Sequence, residues 1–196
     1  GGGTGTGAAP LAAEVARETE GDAVTITEQT VALARAFAVQ AHGDQKYGDG
    51  PYVRHLDDVA ALAAPFGHLA RVVAYLHDVL EDTKATGHEL VTHFGQSVRV
   101  AVALCTDEYG LNRRERKAKT NAKLATSTNS VGLVVKACDR LANVRECVRT
   151  NDSRLEMYRR EYPAFRDAAY RAGLCDAVWA ELDELMGRAE CAIPGG

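Results

Sequence analysis

Residues 72 to 83, Val-Val-Ala-Tyr-Leu-His-Asp-Val-Leu-Glu-Asp-Thr, set four ionisable side chains inside an otherwise apolar segment. The segment holds neither Gly nor Pro, so a helix is expected from Leu69 to Asp82, at the centre of the fold. On a regular helix His77 stacks with Glu81, and Asp78 with Asp82, one turn apart. Unpaired in an interior, each charge would cost about several kcal/mol, so the segment demands a positive partner, and a metal ion is the economical one. His77 and Asp78, though consecutive, can both lean toward one ion beside their shared turn.

Two further ligands are available elsewhere. His55 closes Pro51-Tyr52-Val53-Arg54-His55 at a loop-to-helix entry, and Asp139 sits in a second apolar helix expected over Val131 to Arg149. On that helix Lys136, Asp139 and Asn143 share a face, whereas Arg140 and Arg145 are expected to point away as ion-pair partners. His55, His77, Asp78 and Asp139 form a mixed nitrogen and oxygen set. Such a set suits Mn²⁺, with Fe²⁺ or Zn²⁺ as alternatives, and not a thiolate-loving metal. Glu81 and Asp82, a turn beyond the ligands, are placed to orient a water or take its proton.

The order of these ligands resembles the signature of the HD-domain phosphohydrolases. More narrowly, Gln45-Lys46-Tyr47-Gly48, Pro51-Tyr52-x-x-His55, His77-Asp78-x-x-Glu81-Asp82-Thr83 and Lys136-x-x-Asp139-Arg140-x-x-Asn143 together resemble the hydrolase domain of the RelA/SpoT homologue superfamily, and its small single-domain alarmone hydrolases in particular. The resemblance runs over about residues 27 to 170. It implies an all-α HD-domain bundle, Mn²⁺ as cofactor, and Glu81 and Asp82 as the pair that marks a hydrolase-competent site. It also implies a guanosine nucleotide substrate, (p)ppGpp, cut to GDP or GTP plus pyrophosphate. Lys46 stands where the resembling hydrolases contact the nucleotide, although this chain offers one lysine where many of them pair Arg with Lys. Asn143 suits reading a phosphate, ribose or base, and Arg159 and Tyr162 come from a region those hydrolases place around the nucleotide. The six basic residues between Asn112 and Lys123 are either a solvated helix face or a source of positive potential at a phosphate site.

Two other readings stay open: an HD-type phosphohydrolase acting on another nucleotide, such as the adenosine analogue ppApp, and a non-enzymatic antitoxin or regulatory helical module. Intact His55, His77, Asp78, Glu81, Asp82 and Asp139 weigh against the second.

The remaining chain is consistent with one domain. Residues 1–10, rich in Gly, read as a flexible leader, and 11–196 as a single hydrolase domain ending in a packing helix from Asp176 to Cys191. No second domain, internal repeat or useful β alternation is visible, and no room is left for a synthetase domain. A net charge of −4 argues against a general nucleic-acid or anionic-membrane binder. No export signal or membrane span is evident, so the cytoplasm is the expected compartment. Five scattered cysteines argue against a disulfide framework. Oligomeric state has no sequence signal.

Overall fold

The computed structural model describes residues 25–187. The expected leader over 1–10 and the reach of the last helix to Cys191 lie outside the described residues. Helix α1 (Glu28–His42) starts at a capping box: the Thr27 hydroxyl accepts from Thr30 N, and the Thr30 hydroxyl accepts from Thr27 N. Gly43 ends it at φ +53°, a left-handed conformation that favours glycine. A hairpin follows, in which β1 (Lys46–Tyr47) pairs antiparallel with β2 (Gly50–Pro51). Two-residue strands carry no readable alternation.

Helix α2 spans Val53–Ala63, and a 3-10 turn, Ala64–Phe66, leads to α3 (His68–Leu76). From Leu69 to Leu76 every residue of α3 but Arg71 is buried, because α1, α2, α6 (Gln96–Cys105) and α8 (Ser130–Thr150) all pack around it. The helix expected to run unbroken to Asp82 is interrupted. Leu76 ends α3, His77 and Asp78 form a turn, and α4 (Val79–Asp82) resumes. Asp78 sits at φ −102°, ψ −5°, and its carbonyl accepts from both Glu81 N and Asp82 N, at 3.1 and 2.9 Å. The break brings the His77 and Asp78 side chains together, where a regular helix would splay them by about 100°.

Helix α5 (Gly87–Phe94) connects α4 to α6, and α7 (Arg113–Thr126) precedes α8. The second buried spine is α8, capped by Asn129 and laid against α6 at Gly132. Helix α9 (Arg154–Ala169) keeps Pro163 inside it and packs on α7 and α8. The last described helix, α10 (Asp176–Leu185), seats Trp179 against Phe165 and Tyr170, with ring centroids 5.4 and 5.8 Å apart. The Arg171 guanidinium donates to the Leu124 and Ala125 carbonyls, both at 3.0 Å, which satisfies orphan groups at the end of α7. The result is the expected all-α bundle. Cys105, Cys138, Cys147 and Cys175 are buried free thiols. Among the described residues no helix is long and apolar enough to cross a membrane.

Candidate active site

Three elements converge on one point: the first turn of α2 brings His55, the break after α3 brings His77 and Asp78, and the middle of α8 brings Asp139. His55, His77 and Asp78 each offer a donor atom within 4.8 Å of the others. Asp139 Oδ1 completes the set, 3.3 Å from His55 Nε2 and 3.6 Å from His77 Nε2.

The arrangement fits a divalent cation. His77 Nδ1 lies 2.7 Å from the Ala74 carbonyl one turn back; a carbonyl only accepts, so Nδ1 carries the proton and Nε2 faces the cluster. That Nε2 is buried and makes no hydrogen bond, although Asp78 Oδ2 stands 2.9 Å away. Donor atoms this close but not aimed at one another are what a shared ion requires. Burial lowers the proton affinity of His77, yet the charges of Asp78 and Asp139 outweigh it and raise its pKa well above the ordinary 6.5. Burial likewise pushes both carboxylates up, but their imidazole partners hold Asp78 at about 2 and, with Lys136, Asp139 well below the usual range.

A ring of polar contacts fixes these ligands. Tyr52 OH donates to Asp78 Oδ2 at 2.6 Å, and Asn143 Nδ2 donates to Asp139 Oδ1 at 2.6 Å. Tyr47 stacks on His55 with centroids 4.7 Å apart, and its hydroxyl donates to Asn143 Oδ1 at 3.0 Å. Tyr47 is therefore a packing and bridging residue.

Above the cluster opens a cleft of about 180 Å³. Glu81 and Asp82 line it, each with one oxygen held: Asp107 N donates to Glu81 Oε2 at 3.0 Å, and Gln45 Nε2 donates to Asp82 Oδ2 at 2.9 Å. Arg113, Lys117, Lys136 and Arg140 line it too. Lys117 contacts Asp107 at 2.6 Å, while Lys136 donates to the Cys105 carbonyl at 2.7 Å and lies 3.6 Å from Asp139 Oδ2. Four cations thus face five lining carboxylates, Asp78, Glu81, Asp82, Asp107 and Asp139, for one net negative charge. A bound divalent cation would reverse that sign.

Of the residues singled out from sequence, the structure brings together His55, His77, Asp78, Asp139, Glu81, Asp82 and Asn143. It does not bring Lys46, Arg159 or Tyr162 to the cleft lining. Lys46 is exposed on β1, and Arg159 is exposed and paired with Glu156. Tyr162 is buried and donates to Asp183 Oδ1 at 2.8 Å, facing α10. The same helix serves the cleft one turn earlier, through Tyr158. Arg145 forms the expected ion pair, with Glu181 at 2.6 Å. Arg140 does not point away as expected: it lines the cleft, wedged over Phe165 and Tyr158 at 4.5 and 4.9 Å from the ring centroids. Its long side chain overrides the direction its helix position sets. Tyr52 was legible within the Pro-Tyr-x-x-His motif, whereas Asp107 has no local signal at all.

The sequence profile of the HD domain family matches residues 32–174. The chain is 34% identical over 123 residues to the guanosine-3′,5′-bis(diphosphate) 3′-pyrophosphohydrolase MESH1 of Xenopus tropicalis, covering 59% of this chain and 68% of that one. It is 31% identical over 163 residues to a guanosine-3′,5′-bis(diphosphate) 3′-pyrophosphohydrolase of Aquifex aeolicus, over 80% of this chain but 23% of the relative. The chain thus spans about a quarter of the length of several of the curated relatives it matches. A solved structure described as "A metazoan ortholog of SpoT hydrolyzes ppGpp and plays a role in starvation responses" superposes with a TM-score of 0.71 at 23% identity, over 85% of this chain and all of the other, a likeness of fold. The chain belongs to the HD domain family, on the MESH1-like branch of the RelA/SpoT homologue superfamily.

Proposed function

We propose that this chain is a metal-dependent hydrolase that removes the 3′-pyrophosphate of (p)ppGpp, giving GDP or GTP and pyrophosphate. The observation that carries the reading is the four-donor cluster with Glu81 and Asp82 beside it and four cations lining the same 180 Å³ cleft. The activities for which the Xenopus and Aquifex relatives are named support it.

His55, His77, Asp78 and Asp139 would hold the ion; the mixed nitrogen and oxygen set suits Mn²⁺, Fe²⁺ or Zn²⁺, and the resemblance to the alarmone hydrolases favours Mn²⁺. When bound, the ion supplies Lewis acidity toward a phosphoryl oxygen and toward water. Hydrolysis breaks the bond between phosphorus and the ribose 3′ oxygen; water gives its oxygen to phosphorus, and the ribose oxygen gains a proton. Glu81 and Asp82, each with an oxygen free of the contacts described above, orient the water and take its proton. Arg113, Lys117, Lys136 and Arg140 neutralise the pyrophosphate, and Asn143 and the exposed Lys46 are the nucleotide-reading candidates. Arg159 and Tyr162, away from the cleft, fit structural roles better. The unit that acts is the single domain assigned to 11–196, with a free nucleotide as its partner and the cytoplasm as its compartment.

The test is incubation of the protein with ppGpp and with ppApp, with and without Mn²⁺, and separation of the products. The expected result is pyrophosphate and GDP released from ppGpp in the presence of Mn²⁺. Equal turnover by metal-stripped protein would overturn the mechanism, and turnover of ppApp alone would overturn the substrate.

A further inference from the structure

His42 is the last residue of α1, buried to 7% exposure, and absent from both the ligand cluster and the cleft lining. Its ring sits at the root of two arms that end on functional carboxylates. On one arm, His42 Nδ1 lies 2.8 Å from Gln45 Oε1, and Gln45 Nε2 donates to Asp82 Oδ2 at 2.9 Å. On the other, the His42 ring stacks on Tyr52 with centroids 4.4 Å apart and planes 22° from parallel, and Tyr52 OH donates to Asp78.

Hydrogen-bond chemistry fixes the direction of the first arm. An ionised carboxylate only accepts, so the Gln45 amide must turn its NH₂ to Asp82 and its oxygen to His42. The imidazole must then donate, which places its proton on Nδ1. The backbone makes the arm short and stiff: Gln45 N donates to the His42 carbonyl at 3.0 Å, across the turn that Gly43 permits, and Tyr52 N donates to the Gln45 carbonyl at 3.0 Å.

We propose that His42 is a positioning residue for the proposed hydrolysis: its Nδ1–H sets the Gln45 amide, which holds Asp82 in the rotamer that receives the proton of the attacking water. This role rests on the assignment of Asp82 to proton transfer, and its test separates the two.

Asparagine and glutamine divide the ring's functions, because the Asn side-chain nitrogen overlays Nδ1 and the Gln nitrogen overlays Nε2. With Mn²⁺ and ppGpp, H42N is expected to keep kcat within about 5-fold of the parent, and H42Q and Q45L to lose about 10- to 100-fold, as loss of an orienting hydrogen bond does. KM and Mn²⁺ affinity are expected to hold in Q45L, whose loop site tolerates the change. Equal losses in H42N and H42Q, or unchanged kcat in Q45L, would overturn the proposal and leave His42 a packing residue. Independently of turnover, long-range ¹H–¹⁵N spectra of the unmodified protein should show His42 as the Nδ1–H tautomer; an Nε2–H tautomer would refute the relay. If the spectra agree but the unmodified protein leaves ppGpp intact, the reading of function fails and the geometry stands.

Discussion

Asn143 donates to Oδ1 of Asp139 at 2.6 Å from one turn further along α8. Its own oxygen is taken by Tyr47, so both ends of the amide are engaged inside the protein. Removing it is therefore expected to act on the metal first, ahead of any contact Asn143 makes with the nucleotide. N143A is expected to weaken Mn²⁺ affinity by about 10- to 100-fold, the usual cost of losing an outer hydrogen bond to a ligand. Calorimetric titration with Mn²⁺ checks it. Unchanged Mn²⁺ affinity with a raised KM would return Asn143 to the nucleotide-reading role its motif suggests.

Glu81 and Asp82 are held from opposite sides, by Asp107 N and by Gln45, and neither belongs to the four-donor cluster. E81Q keeps the shape and the ability to accept from Asp107 N while removing one carboxylate of the pair that orients the water and handles its proton. It is expected to spare Mn²⁺ binding and to lower kcat by about 10²- to 10⁴-fold, the range for loss of a general base. Parallel calorimetry and turnover assays decide; a loss of Mn²⁺ binding in step with kcat would make Glu81 a ligand.

The parts of this site that were readable from sequence are those written in local pattern. Lys136, Asp139 and Asn143 share a face because they sit three and four apart on one helix, and all three line the cleft. What local pattern misses is set by tertiary packing. The turn at His77–Asp78 has no Gly or Pro to announce it, and Asp107 reaches Glu81 across 26 positions of sequence. The side that Tyr162 takes depends on Asp183, 21 positions later on a different helix. Arg140 follows its aromatic neighbours rather than its helical phase.

The charge of the cleft couples anion binding to the cation. With four lining cations against five carboxylates, and Glu161 occupying both Arg113 and Arg140 from behind, the metal-free cleft repels a pyrophosphate group. Calorimetry with inorganic pyrophosphate is expected to show no binding to the metal-stripped unmodified protein and measurable binding once Mn²⁺ is present. Because Mn²⁺ and pyrophosphate associate in solution, the same titration of the H77A variant is the control and should show only the heat of that association. Binding of pyrophosphate without metal would show that the arginines and lysines suffice alone.

Asp107 joins the two lysines, at 2.6 Å to Lys117 and 3.9 Å to Lys136. Burial opposes its ionisation, but the two ammonium groups outweigh burial and lower its pKa from the ordinary 3.8. A carboxylate with a folded pKa below its unfolded value contributes stability above the unfolded pKa and loses it as pH falls through the folded one. The stability gap between the unmodified protein and D107N should therefore be full near neutrality and shrink below about pH 4. Urea unfolding of both proteins across that range measures it. A gap that does not change with pH would mean that the charge of Asp107 is immaterial and only its hydrogen bonds count.

Gly132 shows how closely α8 must approach α6 to bring Asp139 to the cluster. A Cβ there would stand 2.8 Å from Leu104 Cδ2, 3.1 Å from Leu104 Cβ and 3.1 Å from the Ala101 carbonyl oxygen. The first contact can be relieved by rotating a side chain; the other two require one helix to move. Alanine in a helix interior gains about 1 kcal/mol over glycine, whereas overpacking a core costs about 1–3 kcal/mol. The two terms oppose, and the backbone contacts decide for the cost, so G132A is expected to lower the midpoint of thermal unfolding by a few degrees. Displacing α8 would also carry Asp139 away from His55 and His77, so Mn²⁺ affinity should fall in G132A although residue 132 lies two helical turns from the ligand. A raised midpoint with unaltered Mn²⁺ affinity would show that α6 gives way without disturbing the site.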